Sequence, residues 1–242
     1  MIVINQKRIK IILSCILISL FVFTAKTYNK QNKNDSGENI QTTATPASGK
    51  TIIIDAGHGT PDEGAQSSSG TTEAQTNLKI ALKLQNLLEQ NGSKVILTRS
   101  DNNAIYDLDS KTLKQKKISD IKNRVKIGNE NSADIFVSIH LNKIPQSEYY
   151  GWQCFYNTKN EKSIELAKKI QENLNEAIQK ENTRVAMKLN TVYIMKNIEI
   201  PISIVECGFL SNPEEEKKLL EDSYQDRLAW GIYNGILDYF YN

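Results

Sequence analysis

Two hydrophobic signatures alternate along the chain: short runs that are apolar throughout, and longer stretches with apolar residues three and four apart. The run Ile52-Ile53-Ile54, closed by Ala56-Gly57-His58-Gly59-Thr60-Pro61, predicts a strand over residues 51–55 stopped by loop residues. Further strands are predicted over 95–98, 134–139, 151–156, 192–195 and 202–205. Between them, Leu78, Ala81, Leu82, Leu84 and Leu88 share one helical face, with Thr71-Thr72 as a cap, Glu73 in the first turn and Asn91-Gly92 as the stop. Other helices are expected over 118–131, over 163–179 (Ile164, Ala167, Ile170, Leu174, Ile178) and over 224–240, with 101–117 a polar loop. Strands buried on both sides and alternating with amphipathic helices predict an α/β fold, a twisted and mostly parallel sheet with helices on both faces. No internal repeat or second domain is visible.

The first 26 residues break this pattern. Lys7, Arg8 and Lys10 precede a 13-residue uncharged apolar stretch, Ile11 to Phe23. That length suits the core of a signal peptide and is short for a spanning helix, which takes about 20 residues. Thr24-Ala25-Lys26 makes a poor cleavage site, so an uncleaved N-terminal membrane anchor stands beside the signal peptide as an alternative. Residues 27–49, rich in Asn, Gln, Lys, Thr and Ser, read as a flexible polar tether, and residues 50–242 as the folded body. The protein is expected to be exported and to act outside the cytoplasm, either secreted or held at the membrane.

Charge and cysteine content narrow the field. The net charge of +2 comes from the N-terminus: without its four basic residues the chain has 26 basic against 28 acidic side chains. So neutral a body is not built to neutralise phosphates, and nucleic acid is not an expected partner. Cys15 belongs to the export segment, which leaves Cys154 and Cys207. Two buried free thiols on strands are expected, with a disulfide between them the alternative, and neither has metal-ligand spacing.

The polar residues fall in a telling order on this outline. His58 follows the first strand, His140 ends the strand over 134–139, and Glu206 ends the run Ile202-Ser203-Ile204-Val205. Ligands of open α/β sheets bind outside the carboxyl ends of the strands, so parallel strands would bring the three together. These are the chain's two histidines, and two imidazoles with one carboxylate are a recurring catalytic zinc set. The acid completing the set is open at this point: Glu73 opens a helix after the His58 loop, and Asp55, Asp62 and Glu63 compete with it. Glu206 interrupts an apolar run, where a buried carboxylate costs several kcal/mol unless a cation or another partner is near. A carboxylate so placed can take a proton from water and pass one to a leaving amine.

Five motifs, in order, resemble the zinc N-acetylmuramoyl-L-alanine amidases of the amidase-3 group of cell-wall hydrolases. Ile53-Ile54-Asp55-Ala56-Gly57-His58-Gly59 is similar to I-D-P-G-H-G, with Ala56 in place of proline. Glu73 with Asn77-Leu78 resembles E-x-x-x-N-L, and Arg124 to Asn129 resembles R-x-x-x-A-N, with Gly128 for alanine. Ser138-Ile139-His140-Leu141-Asn142 resembles S-I-H-A-N, and Glu206-Cys207-Gly208-Phe209-Leu210-Ser211-Asn212 resembles E-x-G-F-L-S-N. The resemblance spans essentially the whole body and implies a phosphorylase/hydrolase-like zinc amidase domain. It implies His58, Glu73 and His140 as ligands of a zinc ion (Zn2+), Glu206 as the catalytic acid, and the muramoyl-L-alanine amide of peptidoglycan as the bond cut. One export segment, a short tether and no wall-binding repeats further resemble the germination-specific, CwlD-type branch, which acts on spore cortex on the way to muramic-δ-lactam. A general autolysin, a zinc peptidase or deacetylase, and a non-catalytic wall-binding protein are the rival readings. An accessory protein is compatible with all of them.

Overall fold

The computed structural model describes residues 44–241; the export segment and most of the expected tether lie outside the described residues. Its elements run β1 (Thr51–Ala56), α1 (Glu73–Gln90), β2 (Lys94–Leu97), α2 (Leu113–Glu130), β3 (Ile135–Asn142), β4 (Gln153–Tyr156), α3 (Glu161–Ile178), β5 (Met187–Lys188), α4 (Tyr193–Asn197), β6 (Ile202–Phe209), α5 (Pro213–Leu220) and α6 (Asp222–Tyr241). The strands form one sheet in the order β2-β1-β3-β6-β4-β5. β2, β1, β3 and β6 are mutually parallel, whereas β4 runs antiparallel to β6 and β5 parallel to β4. The expected α/β architecture is therefore present, and the strands predicted to carry the chemistry, β1, β3 and β6, lie in one parallel block.

Alternation along the strands sorts residues onto two faces. Ile52, Ile54 and Ala56 of β1, Ile135, Val137, Ile139 and Leu141 of β3, and Val205 and Cys207 of β6 join the larger core with residues of α1, α3 and α6. The opposite face carries Ile53, Phe136, Ile202 and Ile204 under residues of α2 and α4. Toward the carboxyl ends of β1, β3 and β6 this second face turns polar, through Asp55, Ser138, His140 and Glu206. Cys154 and Cys207 are both free and buried, as expected of packing thiols.

Several elements depart from the sequence reading. Residues 192–195, expected as a strand, lie at the start of the five-residue helix α4, which buries Ile194 and Met195. A four-residue apolar run has no usable period, and packing decides its form. Helix α2 begins at Leu113, inside the expected polar loop, because Thr112 and Gln115 form a reciprocal capping box. Helix α5 was not foreseen from the apolar pattern, yet Asn212 caps Glu214 and Glu215, Pro213 opens it, and acids precede bases along it. Ahead of Lys50, residues 45–49 form a turn in which Ala47 is fully buried and Gly49 N–H donates to Gly92 O at 2.8 Å.

Beneath the polar end of the sheet lies a buried ion pair. Asp55 accepts from Arg124 Nη1 at 2.6 Å, from Thr98 Oγ1 at 2.7 Å and from Ser138 Oγ at 2.5 Å. Arg124 also reaches Asp120 from Nε at 2.8 Å. Burial raises the Asp55 carboxyl, but the Arg124 charge and the two hydroxyls outweigh it, so the net shift is below the usual carboxylate range. Arg124→Met or Asp55→Asn, each orphaning a buried charge, is expected to cost about 3–5 kcal/mol in urea unfolding at pH 7. The double variant should cost less than the two singles together. Because the folded-state value is depressed, this contribution is complete above the ordinary value of 3.8 and is lost as pH falls through the folded value, an acid dependence absent from Asp55→Asn.

Candidate metal centre and catalytic carboxylate

Passing from β1 to β2 and then to β3, the chain adds strands on opposite sides of β1, which makes the β1–β3 boundary the switch point of the parallel part. His58 lies two residues beyond β1, His140 within β3, and Glu206 directly opposite His140 in the β3–β6 register. A register shift after His140 lets both strands run on to Asn142 and Phe209, so His140 and Glu206 sit inside their strands and not at the ends the sequence implied.

The loop after β1 is held by its carbonyls. Arg99 donates to Ala56 O at 2.8 Å and to Gly57 O at 3.0 Å, and Arg124 donates to Ala56 O at 2.8 Å and to His58 O at 2.5 Å. His58 itself takes φ +62°, a left-handed conformation that costs a non-glycine residue about 1–3 kcal/mol and persists where its surroundings dictate it. At Gly57 a Cβ would lie 2.3 Å from His140 Cε1, so only glycine lets that imidazole pack against the loop.

Glu73 is the hub of the cluster. At the first position of α1 its side chain gains from the helix dipole. Oε1 lies 2.9 Å from His140 Nδ1 and accepts from Leu141 N at 3.1 Å; Oε2 accepts from Ala65 N at 2.8 Å and lies 3.3 Å from His58 Nε2. Burial raises this carboxyl, but hydrogen bonds from both imidazoles more than reverse it and hold it far below the usual range. Burial likewise lowers His58, while bonding to Asp62 and Glu73 drives it up to about 9. The ring planes of His58 and His140 stand at 75° with centroids 5.1 Å apart. His58, Glu73 and His140 each offer a ligand atom, all within 4.8 Å of one another, and could hold a metal ion.

Glu206 faces this group across a cavity of about 210 Å³ that both histidines also line. Its Oε2 is buried with no hydrogen-bond partner among the described residues. Burial raises the carboxyl to about 7, with the His140 and His58 charges opposing and that of Glu73 adding. Ile121, Leu189, Val192, Ile194 and Ile204 give the cavity an apolar wall, and Lys117 stands at its rim.

The four predicted site residues are thus brought together. The competing acids are engaged elsewhere: Asp55 with Arg124, Asp62 with His58 Nδ1 at 3.1 Å, and Glu63 with Thr60 Oγ1 at 2.6 Å. Sequence reasoning missed Arg99 and the role of Asp62, although the i,i+4 spacing of Asp62 from His58 in a tight loop was a usable sign.

Residues 52–238 match the N-acetylmuramoyl-L-alanine amidase family, Amidase_3. The chain is 37% identical to the germination-specific N-acetylmuramoyl-L-alanine amidase of Bacillus subtilis (strain 168), across 93% of this chain and 91% of that one. A solved structure of the CwlD amidase from Clostridioides difficile in complex with the GerS lipoprotein is 46% identical, with a TM-score of 0.76 over 78% of this chain and 98% of that one. The catalytic domain of CwlV, an N-acetylmuramoyl-L-alanine amidase from Bacillus (Paenibacillus) polymyxa, is 31% identical, with a TM-score of 0.68 over 78% and 97%.

Gly57→Ala should force the His140 ring off its position beside Glu73. The expected outcome is a displaced His140 imidazole resonance and reduced metal stoichiometry, with the fold retained by circular dichroism. A normal stoichiometry would show that the ring has room to move.

Proposed function

The chain belongs to the N-acetylmuramoyl-L-alanine amidase family, and on that footing we propose that it cuts the amide between muramic acid and L-alanine in spore-cortex peptidoglycan, with zinc held by His58, Glu73 and His140 and with Glu206 as the catalytic carboxylate. One observation carries the reading. Three donors lie within 4.8 Å of one another, and the two histidines among them line a cavity with Glu206, whose buried Oε2 has no hydrogen-bond partner among the described residues. Two imidazoles and a carboxylate are a donor set that zinc takes with a position left open. A nearby cation and a reacting water would give Glu206 Oε2 the partners it lacks.

When bound, zinc supplies Lewis acidity that polarises the scissile carbonyl and makes water a better nucleophile at neutral pH. The chain's own residues do the rest. Glu206 accepts the proton of the attacking water as the carbon–oxygen bond forms. It then delivers that proton to the nitrogen of L-alanine as the carbon–nitrogen bond breaks, so one carboxylate serves as base and then as acid. The apolar wall of Ile121, Leu189, Val192, Ile194 and Ile204 keeps bulk water from that side of the cavity. Arg99 and Arg124 fix the loop that presents His58.

The cortex assignment is supported by the likeness to a germination-specific amidase, and an accessory partner by a neighbour solved with a lipoprotein. Action outside the cytoplasm is supported by the apolar stretch over residues 11–23, which lies outside the described residues. Among the described residues, no helix is long and apolar enough to cross a membrane.

Glu206→Gln should lower turnover by at least about a hundredfold while zinc stays bound. Loss of zinc from that variant would make Glu206 a ligand instead. His58→Ala and His140→Ala should each release zinc, measured by metal analysis after dialysis; full activity in either would sink the site assignment. Mass spectrometry of cortex digests should find intact stem peptides and N-acetylated glycan. Cleavage within the peptides, or loss of acetyl groups, would point to a peptidase or a deacetylase.

A further inference from the structure

Asp62 has a geometry that a loop residue does not need. Its Oδ2 lies 3.1 Å from His58 Nδ1 and 3.0 Å from Lys117 Nζ, so one carboxylate oxygen is shared by an imidazole and an ammonium. The backbone fixes this approach: Gly59 N–H donates to Asp62 O at 3.0 Å, and Asp62 N–H donates to Gly59 O at 2.8 Å. Lys117 reaches over from α2, the helix that also carries Arg124, whose guanidinium holds His58 O. The two ends of the His58 ring therefore meet different partners, Asp62 at Nδ1 and Glu73 at Nε2. His140 has no such arrangement, since its Nδ1 faces Glu73 itself.

A neutral imidazole carries one proton on either of two nitrogens, and it binds a metal only through the other. A carboxylate beside Nδ1 accepts the N–H there and leaves the Nε2 lone pair facing the cluster. A carboxylate oxygen has room for a second donor, and the ammonium occupies it without competing for the ring proton. Lys117 is half exposed and lines the same cavity, so its ammonium is anchored by Asp62 instead of being left free in solvent.

We propose that Asp62 and Lys117 form a relay that positions His58 for metal binding: Asp62 fixes the tautomer with Nδ1 protonated and Nε2 open, and Lys117 holds Asp62 in that attitude. The relay rests on the reading of His58 as a ligand. Neither residue touches substrate in this role; both act through His58.

The test uses the full chain and four variants: Asp62→Asn, Lys117→Met, the double Asp62→Asn/Lys117→Met, and His58→Ala. Zinc affinity is measured by competition with a chromogenic chelator, and the imidazole tautomers of the metal-free chain by nitrogen-15 shifts at about pH 10, where the His58 ring is neutral. Asp62→Asn should weaken zinc binding about 10- to 100-fold and turn a single His58 tautomer into a mixture. Lys117→Met should weaken binding less, and that loss should vanish in the Asp62→Asn background. Unchanged affinity and tautomer in Asp62→Asn, with zinc lost from His58→Ala, would overturn the relay and leave the ligand reading intact. Wild-type zinc affinity in His58→Ala would instead overturn the ligand reading. An equal Lys117→Met effect in both backgrounds would remove Lys117 from the relay. Because Lys117 is half exposed, its variant reports on the relay even if Asp62→Asn does not fold.

Discussion

Everything at the polar end of the sheet depends on the buried pairing of Asp55 with Arg124. Asp55 points from β1 onto the face covered by α2, where it ties β1 to β2 through Thr98, to β3 through Ser138 and to α2 through Arg124. Removing either member of the Asp55–Arg124 pair leaves the other as a charged group in a site that cannot solvate it. Arg124 then spends its remaining donors on Asp120 and on the carbonyls of Ala56 and His58. The same guanidinium that neutralises the interior thus sets the loop from which an imidazole projects in a left-handed backbone conformation. Stability and site geometry are here a single interaction, and the strain at His58 is sustained by an ion pair that is itself viable only because it is complete.

The acids around this edge show how environment divides labour among chemically similar groups. Asp55 is matched by a cation and is structural. Glu73 is saturated by backbone amides and imidazoles, which favours the ionised form a metal cluster needs. Glu206 has one oxygen with no partner among the described residues, and burial raises its carboxyl to about 7. The family to which the chain belongs accounts for the order of the motifs along the sequence. The reason each acid takes its role lies in which donors the fold delivers to it.

Much of this was legible before any coordinates. His58, His140 and Glu206 could be aligned because a strand followed by a functional side chain is a local pattern, and parallel strands bring such ends together. Glu73 could not be separated from Asp55, Asp62 and Glu63 on spacing alone. What separates them is the Asp55–Arg124 contact, which joins residues 69 apart, and the turn that delivers Asp62 to the far side of the His58 ring. Local signals also failed unevenly. Helix α5 carried its caps openly at Asn212 and Pro213 but shows little apolar face, while β5 is two exposed residues with no pattern to read. Residues 192–195 were too short a run for periodicity to tell a strand from a turn of helix.

The pairing of His140 with Glu206 across β3 and β6 has a further consequence. Along β6, Ile204 and Glu206 face the cavity, while Val205 and Cys207 face the helix layer of the larger core. A slip of one residue between the two strands would exchange these sets, setting an aliphatic side chain or a thiol opposite His140 and driving the carboxylate into hydrocarbon. The misaligned sheet would then be penalised by a buried charge. Strand alignment in this protein is thus policed by Glu206 itself: the carboxylate proposed to carry the reaction is also the one that makes the wrong pairing too costly to persist.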